Sequence, residues 1–405
     1  MLKRVGALGV TGAAIAAVVA ATLSSPASAK THAAAASISC SKRVTIGVAY
    51  PETGPVATLG ANQWNWATAA AKAWNKNKKN KPKIALVKGD TQLAGTNPQA
   101  LQVAHAFKSN GKIVAVTGPA GSQEMQDTAT VWKSAGLAPV SGSETRVALT
   151  RATSGSPRET SKGYFFRTVP NDGQQGDNVA AYIHNKVKKT KGEIVDDEET
   201  YSTGLEAQVQ ADLKADGVSV TTNHISQQDT DFSSVIDSIP AGTQLVYIPW
   251  QNATQAQQFY TQLHAHGGTE ILMGSDGTDV PGTFKGAGSY VSGFPVDFSS
   301  SIVKSFAKAH GGDPETFGIP SWTSIMVNAT AIQKACKAGH GKITRASVRK
   351  EIPKVILPIT KSLLGFPVQF LGKNQGKWQG PGDMGGTAAF GIYQIQANGS
   401  YKRVG

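Results

Sequence analysis

Between Arg43 and Asp276 one pattern recurs: a short run of Val, Ile and Leu, a turn rich in Gly, Ser and Thr, then an Ala-rich stretch with helical spacing. Strands that alternate with helices at this rhythm make parallel sheets with right-handed crossovers, so the repetition predicts an α/β fold. The pattern opens with a strand at 43–50, a tight loop at Pro51-Glu52-Thr53-Gly54-Pro55 and a helix over 62–75. Strands at 83–87, 113–118 and 137–141 continue it, with helices over 98–108 and up to 135. Near the middle, Tyr164-Phe165-Phe166-Arg167-Thr168-Val169-Pro170-Asn171-Asp172 reads as a strand leaving one sheet and delivering the chain to a new unit. The pattern then restarts, with strands at 193–195, 218–221, 245–249 and 271–274 and helices over 176–186, 202–215 and 253–264. Two lobes are expected, and a chain of 405 residues is long enough to bury two cores.

Residues 1–29 stand outside this pattern. Lys3 and Arg4 precede an uncharged run from Val5 to Leu23, and Ala27-Ser28-Ala29 follows as a small-x-small cleavage site, which predicts an export signal. Export by the general secretory route would put the protein in the periplasm or on the outer face of the cell membrane. It would also put the two cysteines, Cys40 and Cys336, in an oxidising compartment. A helix over 322–337 running antiparallel to the first strand brings Cys336 near Cys40, so a disulfide is reasonable; two separate thiols are the alternative. Lipidation of Cys40 is the weaker reading, because Ser37 stands where a lipidation box wants Leu.

The formal charge is +13, of which Lys3 and Arg4 leave with the signal. Much of the rest sits in two clusters, Lys76, Lys78, Lys79, Lys81 and Lys83, then Lys186, Lys188, Lys189 and Lys191. Each follows an Ala-rich helix, where cations favour the carbonyl end of the dipole. Neither is interleaved with stacking aromatics, so no nucleic-acid partner is implied. Enzyme signatures are missing too. There is no Walker A pattern, no Gly-x-Ser-x-Gly elbow and no His-Glu-x-x-His, and His264 and His266 lie two apart, facing different ways on a helix. What the pattern does offer is strand ends that deliver loops to one edge, where open α/β sheets bind ligands. Gly121-Ser122-Gln123 before a helix is such a loop, able either to cap the helix or to hold an anion.

Taken together, several stretches resemble solute-binding proteins of ABC importers, in the leucine/isoleucine/valine-binding (type I periplasmic binding protein) family. They are Ile46-Gly47-Val48 with Thr53-Gly54-Pro55, Gly89-Asp90-Thr91-Gln92 with Asn97-Pro98, and Phe165 to Asp172. Tyr201-Ser202-Thr203-Gly204, Thr230-Asp231-Phe232-Ser233, Met273-Gly274-Ser275-Asp276-Gly277 and Gly391-Ile392-Tyr393-Gln394-Ile395 complete the set. The resemblance implies two Rossmann-like lobes with parallel sheets joined by a three-strand hinge, closing on a small ligand. Lobe one would comprise 43–169 plus 297–365 and lobe two 170–296 plus 366–405, after a short segment 30–42. The second and third crossings are expected at Gly293 to Asp297 and Gly365 to Leu371. It implies ligand contacts from Gly121, Ser122 and Gln123, then Glu144 and Thr145, with Tyr201 and Gln251 from lobe two, and Asp276 pairing with a ligand ammonium. Trp322 is a further candidate for the cleft wall. Leu59 and Gln251 replace aromatics that are usual in the family, and Glu144 brings a charge that Arg146 could neutralise. The implied ligand is an amino acid, branched-chain or not, or a related amide. No cofactor, metal or catalytic residue is implied. The expected partners are that ligand and a membrane permease complex, with the protein a monomer; a ligand-sensing subunit docking on a membrane receptor is the alternative.

Overall fold

The computed structural model describes residues 37–94, 98–154, 157–160, 162–296, 300–309, 316–386 and 390–405. The predicted export signal lies outside the described residues. After a two-residue strand β1 (Ile38–Ser39) the alternation begins. It runs β2 (Val44–Tyr50), α1 (Ala57–Lys76), β3 (Ile84–Asp90), α2 (Pro98–Ser109), β4 (Ile113–Thr117), α3 (Ser122–Ala135), β5 (Pro139–Ser141) and β6 (Phe166–Arg167). These strands form a five-stranded sheet in the order β3-β2-β4-β5-β6, and every neighbouring pair is parallel. Parallel strands are covered on both faces, which is why they read as nearly continuous apolar runs. Trp66, Ala67, Ala70 and Trp74 of α1 pack on one face, while Phe107 of α2 and Met125 and Trp132 of α3 pack on the other.

Asn171 then caps α4 (Asp172–Tyr182), its side chain accepting from the Gln174 amide while the Gln174 side chain returns to the Asn171 amide. There follow β7 (Lys191–Asp196), α5 (Thr200–Ala215), β8 (Ser219–His224), α6 (Ser233–Ser238), β9 (Leu245–Ile248), α7 (Ala253–Ala265), β10 (Ile271–Gly274) and β11 (Tyr290–Gly293). Successive residues of β9 alternate between cores: Leu245 and Tyr247 face α4 and α5, whereas Val246 and Ile248 face α6 and α7.

Beyond β11 the chain re-enters the first lobe, since Phe294 packs in its core beside α8 (Ser301–Ala309) and α9 (Gly318–Ala338). Asp297, the end of the segment in which the second crossing is expected, lies outside the described residues. β12 (Lys342–Ile343) pairs with β1, and after α10 (Arg345–Glu351) the strands β13 (Ile356–Leu357) and β14 (Val368–Gln369) pair around α11 (Ile359–Ser362). The third crossing comes later than Gly365 to Leu371. Phe370, Met384 and Phe390 still pack with the first core, and the chain joins the second sheet only at β15 (Gly391–Ile395). β15 and β16 (Tyr401–Arg403) add antiparallel to β11, completing the order β16-β15-β11-β10-β9-β7-β8.

A buried ion pair stitches the first and third linking segments together. Arg167, fully buried, lies 2.7 Å from Asp383 and donates to the carbonyls of Glu144 and Arg146. Asp383 also accepts from Asn171 at 3.2 Å and from Thr150 at 3.0 Å. Within the first lobe, Cys40 and Cys336 form a disulfide. The first lysine cluster is solvated as expected: Lys76, Lys78, Lys79 and Lys81 are exposed, and Lys83 donates to the carbonyls of Asn75 and Asn77 at the end of α1. Among the described residues no helix is long and apolar enough to cross a membrane.

Candidate functional site

The carboxyl ends of the two sheets meet across a cleft, the edge at which open α/β sheets present their loops. Leu59, Leu93, Ala120, Ser122, Ser143 and Phe317 line it from the first lobe and Tyr201, Gln251, Asp276 and Gly277 from the second, around a cavity of about 20 Å³. That is room for about one water, so the loops are nearly in contact. Leu93 holds its wall position with φ of 43° while only 2% exposed. A bulky residue rarely takes such a backbone, and strain of this kind collects at working sites.

On the first lobe the amide groups that open α3 are already answered by the chain itself. Glu124 accepts from the Ala120 N–H at 3.1 Å and from the Gly121 N–H at 3.0 Å. Gly121 therefore does not offer its amide to a ligand as expected. Burial pushes Glu124 up to about 7, against the pull of hydrogen bonds from Thr91, Gly121 and Ala120. Ser122 is in place, its hydroxyl accepting weakly from the Arg146 amide at 3.4 Å. Gln123 turns away and donates to Asp127 at 2.8 Å. In the next loop the cavity is lined by Ser143, which donates to the Ala120 carbonyl at 2.7 Å and accepts from Gln63 at 2.9 Å.

Glu144 and Thr145 lie behind this wall, not in it. Glu144 is 1% exposed and neither carboxyl oxygen has a hydrogen-bond partner among the described residues. Burial raises it well above the usual carboxylate range, nearby Glu124 adds to this, and only Arg167 opposes. Arg146 does not neutralise it. That guanidinium pairs with Glu159 at 2.9 Å and donates across the cleft to the Thr200 carbonyl at 2.7 Å. Trp322 does not wall the cleft either: it packs edge-on against Trp66 in the first core and donates to the Lys361 carbonyl at 3.2 Å.

The second lobe supplies a different chemistry. Tyr201, at the start of α5, donates its hydroxyl to Asp276 at 2.5 Å. Asp276 begins a short helical turn after β10, which is held by Ser275 donating to the Trp250 carbonyl at 3.0 Å. Burial pushes Asp276 up to about 6, while hydrogen bonds from Tyr201 and Gln175 favour its charged form. Two more buried acids adjoin it. Asp172, at the start of α4, is pushed up to about 7 by burial and then by the Asp276 charge, and Asp279 to about 8 by burial and the same neighbour. Among the described residues no cationic side chain pairs with Asp276. Gln251 lines the wall at 9% exposure, its amide donating to Asp197 at 3.3 Å.

Of the residues expected from sequence, Ser122, Tyr201, Gln251 and Asp276 line this cavity; Leu93, Ala120, Ser143, Gly277 and Phe317, which were not expected, line it too, and Asp172 lies nearby. Asp172 stands at the end of the Tyr164 to Asp172 run, which reads as a strand that delivers the chain to a new unit. The usable signal was a charge in the first turn of the helix that directly follows the linking strand.

A family model for periplasmic binding proteins matches residues 43–383. The chain belongs to this family. Within it, the chain is 31% identical over 308 residues to an amino acid binding protein of Pseudomonas aeruginosa, covering 72% of this chain and 79% of that one. It is 26% identical over 329 residues to a Leu/Ile/Val-binding protein homolog of Brucella abortus, covering 78% and 84%. Its fold is similar to a leucine binding protein of Thermotoga maritima, with a TM-score of 0.74 at 19% identity, covering 89% and 98%. The chain is therefore a type I periplasmic binding protein of the leucine/isoleucine/valine-binding group, and the family is one of solute binders.

Proposed function

We propose that this periplasmic binding protein captures an amino acid, or a related small amine or amide, between its lobes and delivers it to an ABC importer. The observation that supports this reading is the Tyr201–Asp276 pair, a buried carboxylate that receives hydrogen bonds from Tyr201 and Gln175 and meets no cationic side chain among the described residues, facing the Ser122 end of α3 across the cavity. A ligand ammonium on Asp276 supplies the missing charge, and a charge-assisted hydrogen bond of this kind contributes about 1.5–3 kcal/mol. The Ser122 and Ser143 hydroxyls receive the ligand's polar end. Leu59, Leu93, Phe317 and Gln251 bound its side chain. Because the cavity holds only about 20 Å³, entry requires the lobes to part. The three linking segments are the hinge, and ligand shifts the population toward the closed form that the permease reads.

A thermal-shift screen of amino acids, amides and small organic acids tests this, since ligand at 100 times its Kd adds about 2.7 kcal/mol. Stabilisation by amine-bearing ligands, lost in Asp276→Asn, is the expected result. Stabilisation only by acids that lack an amine ends the ammonium role of Asp276.

A further inference from the structure

Two hydrogen bonds run from the first lobe to the second outside the central cavity, and both end on a main-chain carbonyl. Arg146, in the loop after β5, donates through Nη1 to the Thr200 carbonyl at the start of α5, at 2.7 Å. Thr316, 3% exposed just ahead of α9, donates its hydroxyl to the Asp279 carbonyl at 2.8 Å. The second contact adjoins the cavity wall in sequence on both sides, since Phe317 and Gly277 line it.

Both donors are held before they reach across. Glu159 pairs with Arg146 Nε at 2.9 Å, which leaves the Nη1 end for α5. Gly204, four residues along α5 from Thr200, makes room for that end: a Cβ there would stand 2.5 Å from Nη1. Glycine inside a helix is less stable than alanine, so the close approach of the guanidinium gives this glycine its physical reason. Thr316 is buried and β-branched, with little rotamer freedom to lose. None of these groups meets the captured solute in the reading above, so the two bonds form on closure whether or not the cleft is filled. Each breaks when the lobes part, because donor and acceptor belong to different lobes.

We infer that Arg146 and Thr316 are positioning residues that clasp the lobes shut independently of solute, holding the empty protein mainly closed and setting how long a captured molecule stays. Loss of one clasp shifts the balance toward the open form by about three- to tenfold, the range of a single hydrogen bond. The inference takes only the hinge from the capture reading and concerns the empty protein.

The test is small-angle X-ray scattering of the purified protein without solute, comparing wild type with Gly204→Ala, Arg146→Gln and Thr316→Val. Each variant is expected to show a larger radius of gyration, and Thr316→Ser, which keeps a hydroxyl, the wild-type value. Gly204→Ala is the sharpest arm, because alanine favours α5: the urea midpoint is expected to hold or rise while the molecule expands. A purely structural role for the contact gives no expansion. With L-leucine as the probe, stopped-flow dissociation is expected to be about three- to tenfold faster in the same variants. The inference is overturned if all three variants keep the wild-type radius. It is equally overturned if L-leucine contracts the wild type, which would show the empty form to be open and would leave capture between the lobes standing. The scattering arm needs no solute and decides the inference whether or not L-leucine binds.

Discussion

The two lobes meet the cleft with opposite economies of polar groups. The first lobe satisfies itself: the Ala120 and Gly121 amides are held by Glu124, and Ser143 sits between Gln63 and the Ala120 carbonyl. Glu144 is the exception, and it lies behind the wall. The second lobe leaves the Tyr247 hydroxyl without a hydrogen-bond partner among the described residues, and Asp276 is crowded by Asp172 and Asp279. On the proposed reading, selection for a cationic group would reside in the second lobe, while the first would offer a neutral, prearranged surface.

The largest expected effect sharpens that contrast directly. Removing one partner of a desolvated charge pair typically costs about 2–5 kcal/mol, whereas losing a neutral hydroxyl contact costs about 1 kcal/mol. Asp276→Asn should therefore weaken the ligand found in the screen far more than Ser122→Ala does, as titration calorimetry can read. Equal losses would break the contrast.

A second expectation concerns stability. The disulfide lies wholly in the first lobe, and losing such a bond costs roughly 2–4 kcal/mol. Cys336→Ser should lower the urea midpoint reported by the first-lobe tryptophans, while Trp250, buried in the second lobe, reports a smaller shift. Coincident shifts at all tryptophans would show the lobes unfolding as one unit.

A third expectation concerns pH. Asp172, Asp276 and Asp279 stand at about 7, about 6 and about 8 in the folded protein, against roughly 4 for an unfolded carboxyl. The folded chain thus binds more protons than the unfolded chain between roughly pH 4 and 8, so stability is present below that window and is lost as pH rises through it. The ligand-free melting temperature should fall from about pH 5 to about pH 8. The Asp172→Asn, Asp276→Asn double variant should flatten the slope more than Glu124→Gln, which removes a single first-lobe acid. An unchanged slope in the double variant would contradict this.

The strand and helix alternation was legible because parallel strands covered on both faces leave continuous apolar runs such as Val44 to Tyr50. Boundaries were less so. Gly60 reads as a breaker ahead of the first helix, yet it sits inside α1, which starts at Ala57. A Cβ there would come within 1.8 Å of the Pro51 carbonyl oxygen, so this glycine allows a close contact and does not end the helix. Motifs that place a residue where a helical turn begins, as with Tyr201 and Asp276, pointed to side chains that line the cavity. The match was lost by one position at Ser143 versus Glu144, because sequence does not show which way successive loop residues turn. Trp322 shows the same limit, since an aromatic near a helix start serves a core as well as a cleft.

The bond between Cys40 and Cys336 spans 296 residues of sequence and encloses the whole run of second-lobe strands from β7 to β11. For an exported chain, as the sequence predicts here, such a closure does more than resist heat. A nick at an exposed turn such as Gln228-Asp229 leaves both fragments covalently joined, so the broken chain keeps its two halves at high local concentration and can continue to open and close.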